Sequence, residues 1–276
     1  MLFHCGSHTL DLSRPRVMGI VNVTPDSFSD GGRFASTQQA IEHALALVEQ
    51  GADILDIGGE STRPNAQPVA LDEELKRVIP VIEGLQGLTS VPLSIDTYKP
   101  HVMQAAIEAG AGIVNDVRAL QEPGAAEVVV SSNVGVCLMH MRGTPQTMQN
   151  DPVYDDVVAE VRDFLANRAQ VLRDAGVAAE RIVIDPGFGF GKRTVHNLAL
   201  LRELGQLSAL GYPVLAGLSR KSVLGQVAGV EVGDRLPASL AAAVIAALKG
   251  AKILRVHDVR ATVDALKVLQ AVEEKN

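Results

Sequence analysis

The chain has no tryptophan, two cysteines, and only 3% aromatic residues in 276 positions. Two cysteines, Cys5 and Cys137, cannot build a disulfide framework, and Cys137 inside the apolar run VGVCLM reads as a small buried residue. Basic residues are also short: 25 Lys and Arg stand against 32 Asp and Glu, for a net charge of −7. That balance argues against bulk nucleic-acid binding and against an anionic membrane surface, so an anionic ligand must be drawn in by a local basic cluster. No apolar run approaches the roughly 20 residues that span a bilayer. The start, MLFHCGSHTLDLSRPR, lacks a basic segment followed by an apolar stretch, so no signal peptide is read. The expectation is a cytoplasmic protein.

A phosphate loop is missing too. DPGFGFGK (185–192) is rich in glycine and ends in lysine, but Arg193 follows where Ser or Thr is required, and Pro186 stands where the first glycine should be. G-x-G-x-x-G fails because position 192 is lysine.

What is present is a rhythm. Apolar runs ending in a polar residue or glycine recur as VMGIVN (17–22), ILDIGG (54–59), VPLSID (91–96), GIVND (112–116), GVCLMH (135–140), RIVIDP (181–186), PVLAGLS (213–219) and ILRVHD (253–258). Apolar on both faces, they read as buried parallel strands. Helical patterns fill the gaps. Ser36 and Gln39 suggest a capping box, with Ile41, Ala44, Leu45 and Val48 as a stripe and Gly51 as the stop. Residues 71–85 are amphipathic, with Pro80 expected to kink or end the first part. Residues 101–110 end at glycine, and Val157, Val161, Phe164, Leu165 and Leu172 line a helix ending near Gly176. Residues 238–250 are apolar nearly all round and are expected to be buried, at a subunit interface for instance. Eight strand–helix units in about 250 residues predict a single-domain (β/α)8 TIM barrel. A doubly wound sheet would carry a glycine fingerprint at its first turn, which NVTPDSFSDGG lacks. The expected division is an extension over 1–16, the barrel over 17–272 and a tail over 273–276.

On a barrel, chemistry collects at the carboxyl ends of the strands. Those ends hold Asn22, Asp56, Asp96, Asn115, Asp116, His140, Asp185, Ser219, Arg255 and His257. Asp56 and Asp116 read equally well as loop caps. Asp96, Asn115 and Asp185, on separate strands, could together grip a polar heterocycle carrying several N–H donors. Arg63, Arg220, Lys221, Arg255 and His257 read as an anion site, with SRKS (219–222) opening a helix. Lys192 and Arg193 read instead as solvated charges. Four of six phenylalanines, Phe28, Phe34, Phe188 and Phe190, lie in glycine-rich loops, which suggests a lid over a flat ligand.

NVTPDSFSDGG (22–32), DIGGESTRP (56–64), SIDTYK (94–99), NDV (115–117), DPGFGFGK (185–192), GLSRKS (217–222) and RVHDV (255–259), in this order, resemble the dihydropteroate synthase family, across roughly residues 17–270. The resemblance implies a folate-pathway transferase. In it, 4-aminobenzoate displaces pyrophosphate from 6-hydroxymethyl-7,8-dihydropterin diphosphate to give 7,8-dihydropteroate, by a dissociative route. It implies that Asp96, Asn115, Asp185 and Lys221, with Thr62 nearby, hold the pterin. Arg255 would stack on the ring and, with Arg63 and His257, contact the diphosphate. Asn22 would contribute to a Mg²⁺ site and also face the diphosphate. Ser222, beside Lys221, would take the aminobenzoate carboxylate, with Phe28, Pro64 and Phe190 walling that pocket. Sensitivity to sulfonamides and a homodimer through the late helices are further expectations. The rival readings are a pterin-binding methyltransferase domain, which would lack the diphosphate residues and aromatic lid, a Schiff-base aldolase built on Lys221, and a non-catalytic binding protein.

Overall fold

The eight apolar runs all become strands, and they close on themselves. A computed structural model describes residues 1–23, 32–61, 66–144, 146–148 and 151–274, the side chains of 32–35 excepted. The barrel strands are β3 (Arg16–Asn22), β4 (Ile54–Gly58), β5 (Leu93–Asp96), β6 (Ile113–Asp116), β7 (Gly135–Met139), β8 (Ile182–Asp185), β9 (Val214–Ala216) and β10 (Ala251–Val256). They form a closed barrel in the order β10-β3-β4-β5-β6-β7-β8-β9, with every adjacent pair parallel. The TIM-barrel expectation holds.

Two short strands precede the barrel, β1 (Leu2–Cys5) and β2 (His8–Asp11), paired as an antiparallel hairpin. The sequence reading left this segment as a plain extension, but it forms the barrel floor. Phe3, Cys5 and Leu12 join Met18, Ile54, Ile113, Cys137, Val183, Leu215 and Ile253 in one apolar cluster at the inner bottom of the barrel. Glycines at the starts of two strands make the docking possible. A Cβ at Gly135 would sit 2.5 Å from the Phe3 ring, and one at Gly112 would sit 2.8 Å from the Cys5 carbonyl oxygen.

Helices wrap the outside: α1 (Gly32–Glu49), α2 (Leu71–Leu85), α3 (Pro100–Glu108), α4 (Ala125–Val130), α5 (Val157–Asp174), α6 (Thr194–Arg202), α7 (Leu204–Ser208), α8 (Ser222–Ala228), α9 (Leu236–Leu248) and α10 (Val259–Glu273). Their inner faces pack on the outward residues of the strands in a second, larger apolar cluster. None of the described helices is long and apolar enough to cross a membrane.

Two local expectations, for Ser36 and Pro80, are corrected, and a third, for α9, is met in part. Ser36 is not a cap, because α1 begins a turn earlier, at Gly32. Its C-terminal stop does hold: Gly51 takes φ +103° and its N–H bonds the Val48 carbonyl. Pro80 does not end a helix, since α2 runs through it unbroken and buries Val78, Val81, Ile82 and Leu85 around it. Tertiary burial there outweighs the lost backbone bond, and the ring faces outward on a half-exposed turn. Helix α9 is buried along one face only, through Ser239, Ala242, Ala243 and Ala246, while Ile245 and Leu248 are exposed.

Candidate active site

Strand parity decides which polar residues enter the barrel. Side chains alternate faces along a strand, and the floor cluster marks the inward parity with Met18, Ile54, Ile113, Cys137, Val183, Leu215 and Ile253. Counting up by twos gives Asn22 on β3, Asp56 and Gly58 on β4, Asn115 on β6, Asp185 on β8 and Arg255 on β10. Ser94 and Asp96 follow on β5, where Leu93 and Ile95 take the outward parity. The apolar floor therefore carries a polar layer directly above it.

Register then brings these residues side by side. Asn22 pairs with Gly58, Gly58 with Asp96, and Asp96 with Asn115, a row across four strands. Gly58 leaves room in that row, since a Cβ there would lie 3.5 Å from the Cβ of Asp96.

Arg255 crosses the barrel to this row. Its Nε donates to Asp56 Oδ2 at 2.6 Å and a terminal nitrogen donates to Asp96 Oδ2 at 2.7 Å. Asn115 Nδ2 donates to the same Asp56 Oδ2 at 3.1 Å. Asp56, with no exposed surface, is thus the hub of the layer, and its Oδ1 has no partner among the described residues. Burial alone would lower the Arg255 pKa, but the Asp56 and Asp96 carboxylates outweigh it and raise it. Asp96 is pushed up to about 7, by burial first and by the like charge of Asp56 among others, against the pull of Arg255.

Asp185 and Lys221 form the other half. Asp185 Oδ1 accepts from the Gly187 N–H at 2.7 Å. Burial raises its pKa, while Lys221 and Lys192 oppose the rise. Lys221 caps α8, and its Nζ donates to the Phe188 carbonyl and lies 4.5 Å from the centre of the Phe190 ring. Burial brings its pKa down to about 8, against the favourable charge of Asp185. Ser222, the next residue, is exposed at the first position of α8. His257 is held from the neighbouring strand end: Ser219 Oγ lies 3.0 Å from its Nδ1 and accepts from its backbone N–H at 3.2 Å. Phe28, Thr62, Arg63 and Pro64 lie outside the described residues.

DPGFGFGK is a loop stapled shut by its own lysine. Lys192, expected on the surface, is 3% exposed. Its Nζ donates to the carbonyls of Gly187 and Phe190 at 2.9 Å and of His140 at 3.2 Å, and it lies 2.9 Å from His140 Nδ1. Burial draws its pKa well below the usual lysine value, and burial first also takes His140 down to about 3, so His140 is neutral. The glycines are what let the loop close. Gly187 and Gly191 have φ near +65°, and Cβ atoms there would lie 2.0 Å from the His140 oxygen and 2.4 Å from the Arg142 oxygen. Phe188, expected in a lid, is fully buried in the core, so only Phe190 of this pair faces the site side.

Two other expectations resolve by parity and pairing. Asp116 is an outward-parity loop cap, accepting from the backbone N–H groups of Arg118 and Leu120 at 2.8 Å each. Arg220 is held in a two-point ion pair with Asp258 at 2.6 and 2.9 Å.

Taken together, the layer offers inward acceptors on Asp96, Asn115 and Asp185, an ammonium at Lys221, a guanidinium at Arg255 and an aromatic face at Phe190. Such a set suits a flat heterocycle with N–H donors on one edge and an anionic substituent.

Known proteins fit the same description. Residues 18–257 match the family described as pterin binding enzyme. The dihydropteroate synthase of Escherichia coli (strain K12) is 51% identical over 263 residues, covering 95% of this chain and 93% of that protein. That of Haemophilus influenzae is 50% identical over 271 residues, 98% of each. Among solved structures, Xanthomonas albilineans dihydropteroate synthase with 4-aminobenzoic acid superposes with a TM-score of 0.94 at 55% identity, covering 100% of this chain and 99% of that one. The same enzyme in complex with 7,8-dihydropteroate gives 0.89 at 50% identity and the same coverage. Yersinia pestis dihydropteroate synthase with a sulfonamide drug complex gives 0.93 at 48% identity, covering 99% of each chain.

Proposed function

The chain belongs to the pterin-binding enzyme family as a dihydropteroate synthase, a transferase that forms dihydropteroate, and from that premise we propose how its residues carry the reaction. The observation that supports the reading is the joining of three inward acceptors, Asp96, Asn115 and Asp185, to Arg255 and Lys221 in one buried layer. The ring N–H and exocyclic amine of 6-hydroxymethyl-7,8-dihydropterin diphosphate donate to the acceptors, and Lys221 donates to a ring acceptor. Thr62 is assigned to the pterin by the family resemblance alone. Arg255 stacks on the ring and, with Arg63, His257 and Asn22, receives the diphosphate.

The substitution at the exocyclic methylene is dissociative. As the C–O bond breaks, the electron pair leaves on pyrophosphate and the methylene cation is delocalised into the pterin ring. The amine of 4-aminobenzoate then supplies the pair for the new C–N bond and loses a proton. The protein's part is positioning, charge stabilisation and exclusion of water. Ser222 and Lys221 hold the aminobenzoate carboxylate, and Phe28, Pro64 and Phe190 cover its ring. Sulfonamides, by the same shape and charge, occupy that pocket.

Asn22 is the residue that would hold Mg²⁺. The donor chemistry fits: one neutral amide oxygen at a strand end suits a hard cation that keeps several waters and takes oxygen ligands. When bound, the ion neutralises the leaving diphosphate. The exposed apolar residues of α9, Ile245 and Leu248, support a homodimer through this face.

The test is release of pyrophosphate from the purified protein, with and without 4-aminobenzoate and with Mg²⁺ present or chelated. Release matched one for one by dihydropteroate, only with both substrates and Mg²⁺, is the expected result. Pterin binding without release would overturn it.

A further inference from the structure

We infer that Asp56 is a positioning residue for the pterin grip: its carboxylate fixes which face of the Asn115 amide meets the ligand, and it retains Arg255 when the ligand takes Asp96. The inference rests on the reading of the layer as a pterin site.

Three observations carry it. The first is the chemistry of the Asp56–Asn115 pair. Asp56 Oδ2 already accepts from Arg255 Nε, so it is an acceptor, and the group that Asn115 turns toward it must be the amide nitrogen, as the 3.1 Å Nδ2–Oδ2 contact has it. The Asn115 oxygen is then left for the ligand, which must present a donor there. Asp96, Asn115 and Asp185 become a row of like acceptors only because Asp56 stands behind the middle one.

The second is the division of Arg255 between two carboxylates. Asp96 lies in the ligand row and is 10% exposed at its side chain, while Asp56 sits below it with none. A ligand donating to Asp96 must share that carboxylate with Arg255. Asp56 bonds Nε, the inner nitrogen, so the guanidinium keeps an anchor while its outer nitrogens turn to an anionic substituent.

The third is that Asp56 is not explained by the fold. Among the described residues it caps no loop and no helix, its Oδ1 is buried with no partner, and its two neighbours, Asn115 and Arg255, belong to the proposed pterin grip. Keeping such a group has a cost, and the groups that gain from it are Asn115 and Arg255.

The experiment exchanges the two residues. Binding of 6-hydroxymethylpterin, which has no phosphate, is measured by calorimetry for the wild type, Asp56→Asn, Asn115→Asp and the double exchange Asp56→Asn/Asn115→Asp. Thermal midpoints and the KM for 4-aminobenzoate are measured alongside. Asp56→Asn should weaken pterin binding about tenfold or more, the loss of a hydrogen bond involving a charged group, with KM for 4-aminobenzoate within about twofold. Asn115→Asp places two carboxylates face to face and should weaken it further. The exchange restores one donor and one acceptor at the same total charge, and should regain at least about tenfold over Asn115→Asp. The inference falls if Asp56→Asn binds pterin as the wild type does, if the exchange recovers nothing, or if Asp56→Asn fails to fold, since Asp56 would then serve the fold. A wild type that binds no pterin at all would instead refute the reading of the site.

Discussion

The floor and the rim of this barrel are built from the same strands and obey opposite rules. At the floor, Phe3, Cys5 and Leu12 of the hairpin close over inward Met18, Ile54, Cys137 and Val183, and every one of these is apolar and nearly without exposed surface. Burial there is unopposed; even the Cys5 thiol is held protonated, its pKa pushed up to about 12 by burial. At the carboxyl ends of the strands and in the loop that follows β9, burial acts on charges. It raises Asp96 and Asp185 and lowers Lys221. The floor gains stability from each side chain, whereas the rim holds groups whose charged forms the fold disfavours. The lesson is that one period-2 pattern can place stability and chemistry about two residues apart.

Substitutions at the two levels should therefore separate the two properties. Asp185→Asn at the rim should lower kcat/KM for the pterin diphosphate on the order of 10²-fold, the scale of a lost hydrogen bond to a charged group. Its thermal midpoint should stay level or rise, since a buried charge has been removed. Phe3→Ala at the floor should do the reverse. It should cost about 3–5 kcal/mol of stability, read by denaturant unfolding, with kcat/KM of the folded enzyme kept. An Asp185→Asn protein that is strongly destabilised would break the comparison.

The two buried lysines sharpen it at smaller scale. The Lys192 Nζ lies within hydrogen-bond distance of the Gly187, Phe190 and His140 carbonyls and of His140 Nδ1, so Lys192→Met leaves buried acceptors unpaired and should cost about 1–3 kcal/mol. Catalysis should change only through the loop it closes, as a modest rise in KM for 4-aminobenzoate. Lys221 has one carbonyl partner and faces Asp185 and Phe190. Lys221→Met should abolish most turnover while leaving the midpoint near that of the wild type. Steady-state kinetics beside thermal melts distinguish the two patterns.

Much of this was legible in the sequence, and what was not has particular causes. The eight strands and the barrel followed from apolar runs, because a strand covered on both faces leaves that pattern and little else does. Asp96, Asn115 and Asp185 were found as strand ends. Asp56 and Asp116 could not be separated by that rule, yet parity separates them: Asp56 is two residues from floor residue Ile54, and Asp116 is three from Ile113. The signal was present but needed the floor to be known first. Phe188 was misread as a lid residue because glycines flank it, and Lys192 as a surface residue because a lone loop charge is most often solvated. Glycines flanking a side chain suggest freedom, but in this loop they permit close approach of backbone to backbone, which buries what lies between. The hairpin was missed because two four-residue strands carry too few alternating positions to be read.

The smallest effect expected is also the most direct measure of the conflict between the levels. On the proposed pterin contacts, Asp96 of the free enzyme must be ionised to accept and Lys221 must be protonated to donate. The kcat/KM profile for the pterin diphosphate should thus be a narrow bell, with an acid limb near 7 and an alkaline limb near 8. The same two groups shape stability with the opposite sense. Asp96 binds its proton more tightly folded than unfolded, so its contribution falls as pH rises from about 4 to about 7. Lys221 binds its proton less tightly when folded, so its contribution recovers only as pH rises from about 8 toward about 10.4. Their joint contribution to stability is lowest between the limbs, where activity is highest. Asp96→Asn should erase the acid limb and flatten the first slope, leaving the alkaline limb in place. Loss of the limb without change in the slope would mean that another group sets it, and would detach catalysis at the rim from its cost to the fold.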